Sequence, residues 1–168
     1  MASAEQNIHR RDGVVHTMGN RDYKIRLTEA YGIWDTICGT CHGYEGVLAE
    51  PGTFIDRYNA SHRTALKKRL VKHWSAFENC LIKWDHADFF GIMNLGVVAP
   101  DTEIYLITDE GLMNGCAYQF LRSEFDDFVR WYTSEYKMDF FQSSDYIAFD
   151  RELHFVRILH HEGLVFGT

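Results

Sequence analysis

The chain has 168 residues, 46% apolar and 15% aromatic, which suits one packed core and excludes a chain disordered throughout. No apolar run reaches the ~18–20 residues of a membrane span, and the polar start MASAEQNIHRRDGVVH lacks a secretory core, so a cytoplasmic protein with reduced cysteines and no membrane contact is expected. Charge is unevenly divided: residues 1–83 hold 12 Lys/Arg against 9 Asp/Glu and residues 84–168 hold 5 against 15, balances of +3 and −10 within a net −7.

Residues 1–20 are polar and interrupted by Gly13 and Gly19, which predicts a flexible leader before a single domain over residues 21–168. Ile25, Leu27, Tyr31, Ile33, Trp34 and Ile37 mark a short helix or strand over residues 23–37, and the four glycines and Pro51 of residues 39–52 predict a loop. Ser61 suits the N-cap of a long helix. Ala65, Leu66, Leu70, Trp74, Phe77 and Leu81 would share one face of it, with Lys67, Lys68, Arg69 and Lys72 largely toward water. Residues 89–98 are apolar with two glycines, as in a bulged strand.

The next stretch has a hairpin pattern. EIYLIT at 103–108 is rich in strand formers, Asp109, Glu110 and Gly111 supply a turn, and residues 116–121 return. Ser123 with Asp126 resembles a capping box, opening a helix whose apolar stripe is Phe125, Phe128, Val129, Trp131 and Tyr132, running to about Tyr136. A second hairpin follows, with strands at 146–149 and 153–159 about a turn at 150–152. His161, Glu162 and Gly163 then turn into a last strand at 164–166. This order predicts an α+β fold: one domain, a mainly antiparallel sheet built as two hairpins around a helix, and helices packed on one face.

Two short patterns carry possible chemistry. Cys38-Gly39-Thr40-Cys41-His42 has the C-x-x-C-H spacing of haem attachment, and residues 30–46 resemble the first helix and haem-binding turn of class I cytochromes c. That resemblance implies thioether bonds from Cys38 and Cys41 and iron ligation by His42. It ends there, because the β-rich remainder is unlike those helical proteins. Zinc at the same thiols would need two further ligands, and Cys80 and Cys116 stand singly within apolar segments. His86 and Asp88 form an H-x-D pair, two legs of a facial iron triad, for which His154 or His160 could supply the third. His160 and His161 are adjacent, and neighbours on a strand point to opposite faces, which argues against a shared metal. There is no G-x-S-x-G, Walker A or G-x-G-x-x-G pattern, so no catalytic residue, metal ligand or cofactor is assigned, and the chain is not expected to be an enzyme.

The acidic second half forms the broader pattern. Asp109, Glu110, Glu124, Asp126, Asp127, Asp145, Asp150 and Glu152 cluster at element ends, with Trp131 and Tyr132 as apolar anchors. A face of that sign repels nucleic acid and suits a basic protein. Residues 144–150, 155–158 and 160–163 resemble the closing hairpin of small bacterial immunity proteins, which neutralise polymorphic or contact-dependent toxins. The resemblance implies a partner, a basic toxin domain with nucleases among its candidate classes, whose active site is occluded without catalysis by the chain. The alternative is a metal- or haem-binding redox protein using Cys38, Cys41 and His42 or the His86/Asp88 pair.

Overall fold

The computed structural model describes residues 21–38, 51–71, 85–142 and 144–168. The leader at 1–20, Cys41 and His42, Cys80, and the 72–81 part of the expected long helix lie outside the described residues. So does the Cys38 side chain.

Among the described residues, seven strands form one antiparallel sheet. In chain order they are β1 (Lys24–Arg26), β2 (Lys67–Leu70), β3 (Glu103–Thr108), β4 (Cys116–Leu121), β5 (Tyr146–Phe149), β6 (Val156–His160) and β7 (Leu164–Gly167), and across the sheet the order is β1-β4-β3-β5-β6-β7-β2. The helices described are α1 (Leu27–Cys38), α2 (Pro51–His62), α3 (His86–Ile92), the short α4 (Asp109–Met113) and α5 (Phe125–Tyr136), with 3₁₀ turns at Leu95–Val97 and Arg122–Glu124. The fold is thus α+β on an antiparallel sheet, as the order of hairpins and helices predicts.

The central strands β3 and β5 are buried on both sides, and their side chains alternate between two cores. Ile104, Leu106, Tyr146 and Ala148 face a core with Phe89 of α3 and Phe125, Phe128, Val129 and Tyr132 of α5. Tyr105, Ile107, Ile147 and Phe149 face the other, with Ala30 of α1 and Tyr58 of α2. Helices therefore cover both faces of the sheet, not one as expected. The α1–α2 segments supply the second layer.

Several local expectations are corrected. Residues 23–37 are both strand and helix, divided between β1 and α1. Pro51 and Gly52 open α2 rather than closing a loop, in keeping with proline's tolerance in a first helical turn. Ser61 lies near the end of α2 and starts no helix. The chain leaves α2 through Arg63 at φ 54°, where Leu66 N–H donates to Asn59 Oδ1 (2.7 Å), and then enters β2. Lys67, Lys68 and Arg69 are edge-strand residues paired with β7, where exposed positive charge discourages further strand addition.

Residues 89–98 are α3 and a 3₁₀ turn, not a strand. Asp85 caps α3 by accepting from Ala87 N–H (2.8 Å) and Asp88 N–H (3.0 Å), and Asp88 accepts from Asp85 N–H (3.1 Å). Asp109, Glu110 and Gly111 belong to α4, capped by Thr108 Oγ1, which accepts from Gly111 N–H (3.0 Å). Ahead of α5, Glu124 rather than Ser123 reaches back, its Oε2 accepting from Leu121 N–H (2.9 Å). The strand expected at 153–159 forms from Val156, after a loop that closes through Asp150.

Gly111 is where α4 touches the sheet. A Cβ there would stand 2.6 Å from Cys116 O and 3.2 Å from the Tyr118 ring. Gly111→Ala is expected to destabilise the chain by about 1–3 kcal/mol, because backbone must move. Urea unfolding should show a lower midpoint with an unchanged slope.

Candidate functional site

The acidic residues divide into two groups. Asp109, Glu124, Asp145 and Asp150 serve the fold. Asp109 Oδ2 accepts from Ser144 Oγ (2.7 Å) and Asp145 N–H (3.1 Å), tying the start of α4 to the start of β5. Glu124 caps the turn before α5 and pairs with Arg21. Asp150 is buried and accepts from Phe155 N–H (3.2 Å). Glu110 is half-buried beside Tyr132. The carboxylates of Asp109, Glu124, Asp145 and Asp150 each accept a backbone N–H, as buried N–H groups require.

The proposed aromatic anchors also turn inward. Tyr132 is 1% exposed and lies between Tyr118 and Phe140, so it is a core residue rather than a surface anchor. Trp131 is half-buried, its ring edge-on to Tyr23 and beneath the Lys24 ammonium, 5.7 Å from the centroid.

The exposed acids are Asp126 and Asp127 on α5, and Glu152 in the β5–β6 loop. Asp127 pairs with Arg130 one turn along. The outer side of α5 is flanked by two shallow clefts. One, of about 260 Å³, is lined by Phe90, Arg122, Ser123, Phe125 and Asp126. The other, of about 240 Å³, holds Asp85, His86, Asp139 and Phe141 against Val129 and Thr133. Asp85, Asp88, Asp101 and Asp139 are likewise exposed, and the sequence pattern places Asp88 in the H-x-D pair rather than on this face. Asp101 is brought near by the bonds from Arg122 N–H to Thr102 O and from Ser123 N–H to Pro100 O, each 2.9 Å. The face is therefore an acidic helical ridge between clefts of mixed polar and apolar lining, with Val97, 69% exposed, following Gly96, where a Cβ would stand 3.6 Å from the Phe90 ring. The signal for its outlying members is loop capping, which sequence spacing alone does not connect to α5.

Beneath this ridge lies a set of buried phenols. Burial pushes the Tyr118, Tyr132 and Tyr146 hydroxyls well above the usual phenol range. The hydrogen bond from Tyr118 to Tyr136 (3.0 Å) and the charge of Glu110 near Tyr132 act in the same direction.

His86 and Asp88 sit in the cap of α3, where Asp88 accepts a backbone hydrogen bond, and His154 is exposed in the β5–β6 loop. Among the described residues a different trio converges. Donor atoms of Asp145, His160 and His161 all lie within 4.8 Å of one another. The expectation that adjacent His160 and His161 point apart is corrected, because β6 ends at His160 and His161 already belongs to the turn. Their rings lie 4.1 Å apart, inclined by 32°.

On the opposite face of the sheet, a cleft of about 530 Å³ holds Glu29, Gln119 and Arg151 around the Tyr105 hydroxyl, which accepts from Arg151 Nη2 (2.7 Å). No described helix is long and apolar enough to cross a membrane. Comparison with protein-family models, with curated proteins and with solved structures gives no match for this chain.

Proposed function

We propose that the chain is an inhibitory binding protein of the immunity type, made in the cytoplasm of a toxin-producing bacterium. It neutralises a basic toxin domain, a nuclease being the class whose phosphate-binding groove best suits it, by covering the active site with the outer side of α5. The observation that carries this reading is the exposed Asp126–Asp127 ridge set between clefts lined by Phe90 and Phe125 on one side and Phe141 on the other. Charge around a pocket able to take an anchor side chain is the arrangement that gives fast association and slow release. The −10 balance of residues 84–168 supplies the long-range field. On this reading the chain performs no chemistry, and the carboxylates stand in for the phosphates the partner would otherwise hold.

Co-expression with the toxin domain encoded beside its own gene tests this. Growth is expected to be restored, and the purified pair should form a one-to-one complex in which toxin activity is lost in proportion to added chain. Undiminished toxicity, or inhibition without a complex, would overturn the reading.

A further inference from the structure

We propose that Asp145, His160 and His161 bind a single divalent first-row transition-metal ion of the zinc class. The site follows from strand register. Antiparallel pairing sets Tyr146 of β5 opposite Leu159 of β6, so the residues one step outward, Asp145 and His160, face each other at the same end of the sheet. The β6–β7 turn closes by a bond from Gly163 N–H to His160 O (2.8 Å), with Gly163 at φ 81°. That curl returns His161 over the strand ends. Its N–H donates to Asp145 Oδ1 (2.6 Å), and its Nδ1 lies 3.1 and 3.2 Å from the two carboxylate oxygens.

Tetrahedral coordination at about 2.0–2.1 Å places donor atoms roughly 3.3 Å apart. The Asp145–His161 pair already has that separation, and His160 needs only a side-chain adjustment from within 4.8 Å. The weak acceptor bond at His160 Nδ1, from Glu162 N–H at 3.3 Å, is the contact such an adjustment would replace.

Exposure grades across the site. The Asp145 and His160 side chains are 10% and 13% exposed and that of His161 is 51%, so two donors are held in the protein and the third forms a solvent-facing rim. Behind them Asp109 grips Asp145 N–H and the Ser144 hydroxyl, fixing the carboxylate's backbone as an outer-shell partner would. Two imidazoles and one carboxylate select a borderline ion such as Zn²⁺ or Co²⁺, since Mg²⁺ and Ca²⁺ prefer all-oxygen sites. Three protein ligands leave a position for water. The bound ion would cross-link the start of β5 to the β6–β7 turn.

The test uses the full chain carrying Cys38→Ser and Cys41→Ser, so that those thiols do not compete, stripped with a chelator and titrated with Zn²⁺ by calorimetry and with Co²⁺ by absorption. One equivalent is expected to bind and to raise the unfolding temperature. His160→Ala and His161→Ala should each weaken binding at least tenfold and remove the thermal shift. Should His160→Ala fail to fold, His161→Ala, at an exposed turn position, still decides the matter. Absence of stoichiometric binding, or affinity unchanged by either histidine substitution, would overturn the proposal.

Discussion

Phe128→Ala is expected to lower stability by about 3–5 kcal/mol, the range for truncating a fully buried aromatic ring. Phe128 is the hub of the core beneath α5. Its ring stacks on Phe120 at 4.5 Å and meets Phe140 at 5.3 Å, Tyr118 at 5.5 Å, Tyr23 at 5.7 Å, and Trp131 and Tyr132 at 6.0 Å. These neighbours come from β4, α5 and the segments flanking β1 and β5, so no single element can move in to fill the space. The same ring fixes the side of α5 opposite Asp126 and Asp127. A domain of ordinary stability, about 5–15 kcal/mol, would lose much of its margin. Urea unfolding followed by far-ultraviolet circular dichroism measures the loss, and a decrease below about 1 kcal/mol would show that the core repacks.

The second large effect is alkaline. Tyr118, Tyr132 and Tyr146 have hydroxyls raised by burial, so the folded chain keeps protons that the unfolded chain releases near pH 10. Because the folded values are the higher ones, this contribution is fully present below about pH 10 and is lost as pH rises toward them. Each neutral phenol removes about 1.4 kcal/mol of stability per pH unit above that point. Three together give about 4 kcal/mol per unit, enough to unfold an ordinary domain within a few units. Phenolate absorbance should therefore contain a late cooperative phase coincident with loss of structure. Three independent titrations near pH 10 in a chain that stays folded would contradict the burial argument.

The sequence was most legible in its apolar strand runs. EIYLIT, YIAF and the strands that return from them are visible because each face of a two-sided sheet demands its own apolar set. The α5 stripe was visible for the same reason at helical spacing. β2 was not, because Lys67, Lys68 and Arg69 have no local preference for strand. Their conformation comes from the edge of β7, which lies about a hundred residues away in the chain. Asp85 and Asp88 illustrate a different failure. Their spacing holds a capping signal, but His86 between them invited a metal reading. Most of the candidate site was hidden for a third reason. Whether an aspartate faces a partner or a backbone N–H depends on pairings such as Asp109 with Asp145, 36 residues apart, and no local pattern records those.

The ridge of α5 is tested most directly by the association kinetics of Asp126→Lys/Asp127→Lys against the same basic toxin domain, compared with the parent chain across salt concentrations. First-turn acids also favour the helix dipole by about 0.3–1 kcal/mol, and Asp127 pairs with Arg130, so unfolding curves must first establish that the variant is folded. The charge-neutral Asp126→Asn/Asp127→Asn pair separates that effect from steering. Association of the lysine variant is predicted to slow by about tenfold or more at low salt and to lose most of its salt dependence, with dissociation changing less. A folded lysine variant that binds at the parent's rate at every salt concentration would show that this face is only a solvated surface.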